Sequence, residues 1–265
     1  MARSNPKQRK SSAGGNGGSN FALIVAGQPQ VQTAPQSHTA EEVRSLIRGT
    51  NIIIDNDFID VMGADEAYVQ IERVLDMFAD TGIDPDDYIE GFGFERASDY
   101  STLGWTYTFG RSKVYLNSSR FNDIEKVKSA YESSVASGFH PKGTTYQDVI
   151  THEAGHRIGS AINEKFNRTG IDVDGKSYGY YDAFSMYMKA KPQDHLVDLA
   201  IKNVKKTAYG KGKTVTQLRG AISRYALKNK RETIAEAYAD YWANKENANP
   251  LSIEIVKQAR KYLNN

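Results

Sequence analysis

The sequence predicts an α+β fold. Strand signals cluster in residues 88–117, helical periodicity flanks that block, and the last quarter of the 265 residues reads as helix in four pieces. A few strands followed by many helices is the pattern of a small sheet with helices segregated from it.

Each element has its own reason. "TAEEVRSLIRG" (39–49) begins on a capping threonine, Thr39, and stops at Gly49. "GADEAYVQIERVLDMFADTG" (63–82) sets Ala67, Ile71, Val74, Leu75 and Phe78 at helical spacing and ends at Gly82. "YIEGFGFE" (88–95) alternates apolar residues with others, and "WTYTFGRSKVYLN" (105–117) reads as a hairpin turning at Gly110. In that hairpin Trp105, Tyr107 and Phe109 share one face, with Thr106 and Thr108 on the other. "NDIEKVKSAYESSVASG" (122–138) is helical. Thr144 with Gln147 matches a capping box for a helix running through Val149, Ile150, Ala154, Ile158 and Ile162, whose pattern frays after Gly159. Residues 171–190 fit no element clearly; packing is the expected use of their aromatics, ahead of a lid over a binding cleft. Helices follow near 192–206, 214–227, 231–246 and 251–263.

Composition narrows the function classes. At 39% hydrophobic and 25% charged residues the chain is an ordinary globular one, without internal repeats. The lack of cysteine excludes a disulfide scaffold, cysteine-ligated zinc and a cysteine nucleophile. Residues 1–40 hold Arg3, Lys7, Arg9 and Lys10 and no acid, while the remaining 30 basic and 32 acidic residues leave the body at −2. The body thus makes no electrostatic case for nucleic acid, and contact with it is left to the basic start. "SSAGGNGGSN" (11–20) has linker composition, so 1–38 is expected to be a disordered tail. The folded domain is expected over 39–265, with strands confined to 39–140 and a helical part from 141. No stretch approaches the roughly 18 apolar residues of a membrane span. "FALIVAG" (21–27) is short for a signal peptide and is preceded by Gly, Ser and Asn. No membrane partner or standard secretion signal is therefore expected, which points to the cytoplasm or a particle.

The chemistry sits in "TYQDVITHEAGHRIGSAI" (145–162). His152 and His156 are i and i+4 on a helix, so their rings project from one face and can reach one ion at roughly 2.0–2.1 Å. Glu153 sits beside the first ligand, placed to take a proton from a water at the ion. Ala154 and Gly155 leave space above the helix for a strand or the metal. Two histidines do not hold a catalytic zinc, and a third ligand is needed with one position left open. His140 and His195 are weak candidates. "RETIAEAYADYW" (231–242) is a stronger one, because Glu232, Glu236 and Asp240 line one face four residues apart. Its alanines, Ala235, Ala237 and Ala239, permit close packing on the first helix. Spacing alone permits either Glu232 as ligand with Glu236 behind it, or Glu236 with Asp240 behind it.

"HEAGH" followed by "SRYALKNKRETIAEAYADY" resembles the zinc metallopeptidases with a glutamate third ligand. Within them it is most similar to the anthrax lethal-factor catalytic domain and to HEFGH-type domains encoded in bacteriophage genomes. "GFHPKGTT" (138–145) adds to the likeness, which covers about 138–163 and 222–250. The resemblance implies a zincin-like fold, with a small mixed sheet packed on the active-site helix and a mostly helical C-terminal part. It implies Zn2+ bound by His152, His156 and Glu232, Glu153 as general base, and Glu236 accepting the free N–H of a ligand histidine. It also implies that Tyr225 donates to the oxyanion, that the hairpin binds substrate as an added strand, and that the substrate is a protein or peptide. The insertion between His156 and Glu232 is longer than the family's motif. The alternatives are a phage virion or morphogenesis protein that retains the metal site, and a secreted effector or toxin protease.

Overall fold

Thr39 opens the first helix, α1 (Ala40–Ser45), with a capping box: its hydroxyl accepts the Glu42 N–H while the Glu42 carboxylate accepts the Thr39 N–H. The computed structural model describes residues 37–99, 101–107, 110–189 and 191–265. The basic start, linker and apolar run read over 1–36 lie outside the described residues. α1 is shorter than its sequence pattern, because the chain turns over 46–49 and leaves through Gly49 at φ 88°.

Two elements escape the sequence reading, β1 (Ile53–Ile54) and α2 (Asn56–Met62), both too short for periodicity to register. α3 (Ala64–Thr81) runs between Gly63 and a left-handed Gly82 and buries Ala67, Ile71, Val74 and Phe78, as the spacing predicts. The strands β2 (Ile89–Glu95), β3 (Gly104–Trp105) and β4 (Ser112–Asn117) join β1 in a sheet of order β1-β2-β4-β3. β1, β2 and β4 are parallel, and only β3 is antiparallel to its neighbour. The hairpin is therefore real but barely paired: Gly104 faces Leu116 and Trp105 faces Tyr115. Trp105 stacks on Tyr115 at 5.3 Å and Tyr107 meets its edge at 6.1 Å, so both lie on one face. Thr108 and Phe109 are outside the described residues.

After α4 (Ser118–Phe121) and α5 (Ile124–Ala136) comes the long central helix α6 (Asp148–Thr169). Its start differs from the expected capping box. The Thr144 hydroxyl donates to the Pro141 carbonyl, Gln147 reaches Glu66, and the Asp148 carboxylate takes the Thr145 N–H at 2.7 Å. Asp148 wins because Arg73 pairs with it from α3. Although its pattern frays after Gly159, α6 continues to a left-handed Gly170.

α7 (Tyr180–Lys189), α8 (Pro192–Val204), α9 (Val215–Gly220), α10 (Lys230–Asn244) and α11 (Pro250–Asn264) complete the described body, which is mixed α+β. α7 corrects the packing expectation: Tyr180, Tyr181, Phe184 and Met188 are 84, 85, 63 and 68% exposed, and only Met186 turns inward. The helix expected over 214–227 breaks after Gly220. The N–H groups of Arg224 and Tyr225 bond instead to the carbonyls of Gly138 and Phe139, leaving a single 3-10 turn at Tyr225–Leu227. No helix among the described residues is long and apolar enough to cross a membrane.

The core joins the sheet to α3, α6, α8, α10 and α11, and α6 and α10 lie in direct contact at its centre. A Cβ built on Gly155 would sit 2.9 Å from Ala235 Cα and 3.2 Å from Tyr238 Cβ, both on α10. At Gly155 the space expected from sequence for a strand or the metal thus admits a helix. Alanine is the better helix former by about 1 kcal/mol, but overpacking against backbone costs about 1–3 kcal/mol. Gly155→Ala is expected to lower the urea midpoint. At Gly159 the nearest atom is the flexible end of Gln193, 2.9 Å away. Gly159→Ala is expected to hold or raise the midpoint, and equal effects at both positions would contradict this packing account.

Candidate metal centre

α6 holds His152 and His156 one turn apart, with ring centroids at 4.9 Å and planes at 89°. α10 delivers the carboxylate. Glu232 is its third residue, its N–H capped by the Asn229 side chain. Glu232 Oε2 lies 3.3 Å from His152 Nε2 and 3.2 Å from His156 Nε2, and the three atoms gather within 4.8 Å of one another. A tetrahedron with metal–ligand bonds of roughly 2.0–2.1 Å has edges of about 3.3–3.4 Å, which both histidine–glutamate separations match. Glu232 Oε2 is also buried and receives no hydrogen bond. An ionised carboxylate oxygen can only accept, so a cation satisfies it where the two imidazole nitrogens alone do not. This buried group can hold a metal ion.

The three acids of α10 have different surroundings. Glu236 Oε1 lies 2.9 Å from His152 Nδ1, the nitrogen turned away from Glu232, and 3.3 Å from His140 Nδ1. Asp240 faces elsewhere, accepting from Asn244 Nδ2 and from the Asn249 N–H, each at 2.8 Å. Of the two ligand orders the spacing permits, the geometry matches Glu232 facing the site with Glu236 behind.

Burial acts on every charge here, and the neighbours decide the outcome. Glu232 and Glu236 are both pushed up by burial, yet their histidine contacts hold them well below the ordinary carboxylate value. His152 is depressed by burial and then lifted well above its ordinary value by Glu232 and Glu236. Glu153 keeps the upward shift: burial outweighs the pull of His152 and His156.

A cleft of about 290 Å³ opens beside the trio, of which His152 lines it. Its floor includes His152, Glu153 and Glu236, one wall is the 101–104 segment, and the other carries Phe139, His140 and Tyr225. Gly104 is what lets β3 lie on the helix: a Cβ there would meet Val149 Cγ1 at 2.7 Å and Glu153 Cγ at 3.4 Å. β3 is the sheet's edge, and among the described residues its outer side pairs with no strand. Arg157, fully buried, pins the hairpin tip by donating to the carbonyls of Tyr107 and Gly110, and to that of Tyr88 at 3.1 Å.

Tyr225 reaches the cleft on its 3-10 turn, its ring 5.8 Å from that of His152. Lys228 Nζ donates to its hydroxyl at 2.9 Å and stands 3.5 Å from Glu232 Oε1. His140 lines the cleft without joining the ligand trio. His195, on α8, does not join the trio; its Nδ1 meets Asp172 Oδ2 at 2.8 Å. Sequence reasoning missed Gly104, Arg157 and Lys228. Lys228 had a visible cue, its place four residues before Glu232. A buried arginine that serves backbone carbonyls has none.

Comparison with family models, with curated proteins and with solved structures finds no match to this chain.

Proposed function

We propose that the chain is a zinc-dependent endopeptidase with a zincin-like body. The observation that carries this reading is the gathering of ligand atoms of His152, His156 and Glu232 within 4.8 Å of one another, beside a cleft that His152 and Glu153 line together with Gly104 of the edge strand β3. His152, His156 and Glu232 would hold the ion. Two imidazoles and one carboxylate suit zinc and leave a fourth position open. Bound there, the ion supplies Lewis acidity to a peptide carbonyl and to water.

The chain's own groups account for the remaining steps. An extended peptide adds to the outer edge of β3 by main-chain hydrogen bonds. Glu153 takes the proton of the attacking water and passes it to the leaving amine nitrogen, a task its raised proton affinity suits. Tyr225 donates its hydroxyl hydrogen to the oxygen that gains charge. Lys228 occupies a lone pair of that hydroxyl, so the hydrogen is free to turn to the cleft. Glu236 Oε1 faces His152 Nδ1 at 2.9 Å, where accepting its N–H would leave Nε2 for the ion.

A virion or morphogenesis protein that keeps zinc for stability needs neither a buried base nor a donor tyrosine beside an open cleft. The two readings separate on a purified full chain, with bound metal measured by atomic emission and cleavage measured on denatured casein and a peptide library. Bound zinc with cleavage is the expected result. Zinc without cleavage of any peptide favours the structural role, and a folded protein that takes up no ion overturns the metal centre itself.

A further inference from the structure

His140 stands outside the ligand trio, yet it is among the most tightly held side chains at the site. Its ring stacks on Tyr131 at 4.6 Å with planes 5° apart, and it meets the ring of Phe139 edge-on at 5.0 Å. The Tyr131 hydroxyl is in turn held by Thr144 Oγ1 at 3.3 Å. In that orientation His140 Nδ1 lies 3.3 Å from Glu236 Oε1, the oxygen that is 2.9 Å from His152 Nδ1. Glu236 is 1% exposed, and its other oxygen has no hydrogen-bond partner.

A lone carboxylate on α10 would have a single imidazole to fix its rotamer, with water excluded. A second imidazole nitrogen at the same oxygen, Oε1, removes that freedom. An ionised carboxylate only accepts, so His140 must present Nδ1 as N–H. We propose that His140 is a positioning residue for the metal centre: it fixes the Glu236 carboxylate, which in turn fixes the ring plane and tautomer of His152. Partners behind a metal-ligating histidine set its affinity for the ion, and their loss typically weakens binding about 10–100-fold. The inference rests on the metal-centre reading above.

Two substitutions separate the hydrogen bond from the packing. His140→Phe keeps an aromatic ring against Tyr131 and removes the donor. His140→Asn removes the ring and keeps an N–H near the Nδ1 position. Zinc affinity is measured for each by competition with a chromogenic chelator, with the melting temperature of the chelated protein as the folding control. The phenylalanine variant is expected to bind zinc about 10–100-fold more weakly, and the asparagine variant to stay within about threefold of the parent. In the Glu236→Gln background His140→Phe is expected to add little, because its effect runs through that carboxylate. The reverse order, asparagine weak and phenylalanine unchanged, makes His140 a packing residue and overturns the proposal. So does full additivity with Glu236→Gln. Failure of the parent chain to bind zinc is a different result, which removes the metal centre and this inference with it.

Discussion

Glu153→Gln is expected to retain zinc and to lower kcat/KM by about 10²–10⁴-fold, the range for loss of a positioned acid–base group. The substitution is nearly isosteric at a residue 6% exposed, so the cleft keeps its shape. The amide cannot take a proton from water, and Glu153 is not one of the three residues that gather around the site. Stability should move the other way. Burial raises the proton affinity of Glu153, so above its folded-state pKa the ionised carboxylate destabilises the native state relative to the unfolded one. A neutral side chain removes that penalty. The chelated variant is therefore expected to melt at or above the temperature of the chelated parent. Turnover equal to that of the parent, with zinc bound, would end the general-base assignment. A variant that loses zinc as well would place Glu153 among the ligands.

The site was legible because its donors lie on two helices with regular spacing. His152 and His156 at i and i+4, and the acids at 232, 236 and 240, announce their faces through the helical repeat. The choice between Glu232 and Glu236 was not legible from spacing. It depends on how far α10 slides along α6, and that is set by Ala235 resting where Gly155 has no side chain. The walls were harder still. Gly104 reads as an ordinary residue of a hairpin, yet it controls the approach of β3 to Glu153. Arg157 looks like a surface residue and is fully buried, spending its donors on three carbonyls of the strand and hairpin segments. The aromatics of α7 misled in the opposite sense. Composition favours burial for Tyr180, Tyr181 and Phe184, and nothing in a single segment says which way its apolar stripe faces.

Paired substitutions on α10 test the ligand order, with the larger effect expected at Glu232. Glu232→Gln removes the charge that both imidazole Nε2 atoms face at 3.2–3.3 Å. Breaking a buried charge partnership costs about 3–5 kcal/mol, and each 1.4 kcal/mol is tenfold in affinity. Zinc binding should fall by roughly two to four orders of magnitude on that scale. Glu236→Gln keeps the trio intact and alters only what stands behind His152, so a loss of about 10–100-fold is expected. Asp240→Asn should leave zinc affinity unchanged. Its carboxylate receives the Asn249 N–H and Asn244 Nδ2, so the variant is expected to lose about 1–2 kcal/mol of stability instead. The measurements are chelator competition for affinity and urea unfolding for stability. If Glu236→Gln empties the site while Glu232→Gln costs only tenfold, the ligand shell is displaced by one turn and Asp240 takes the place behind it. That outcome would require α10 to advance along α6 by about 5.4 Å, one helical pitch. Such a shift would bring Ala239 to Gly155 in place of Ala235, and Trp242 in place of Tyr238, an indole where a fully buried tyrosine now sits.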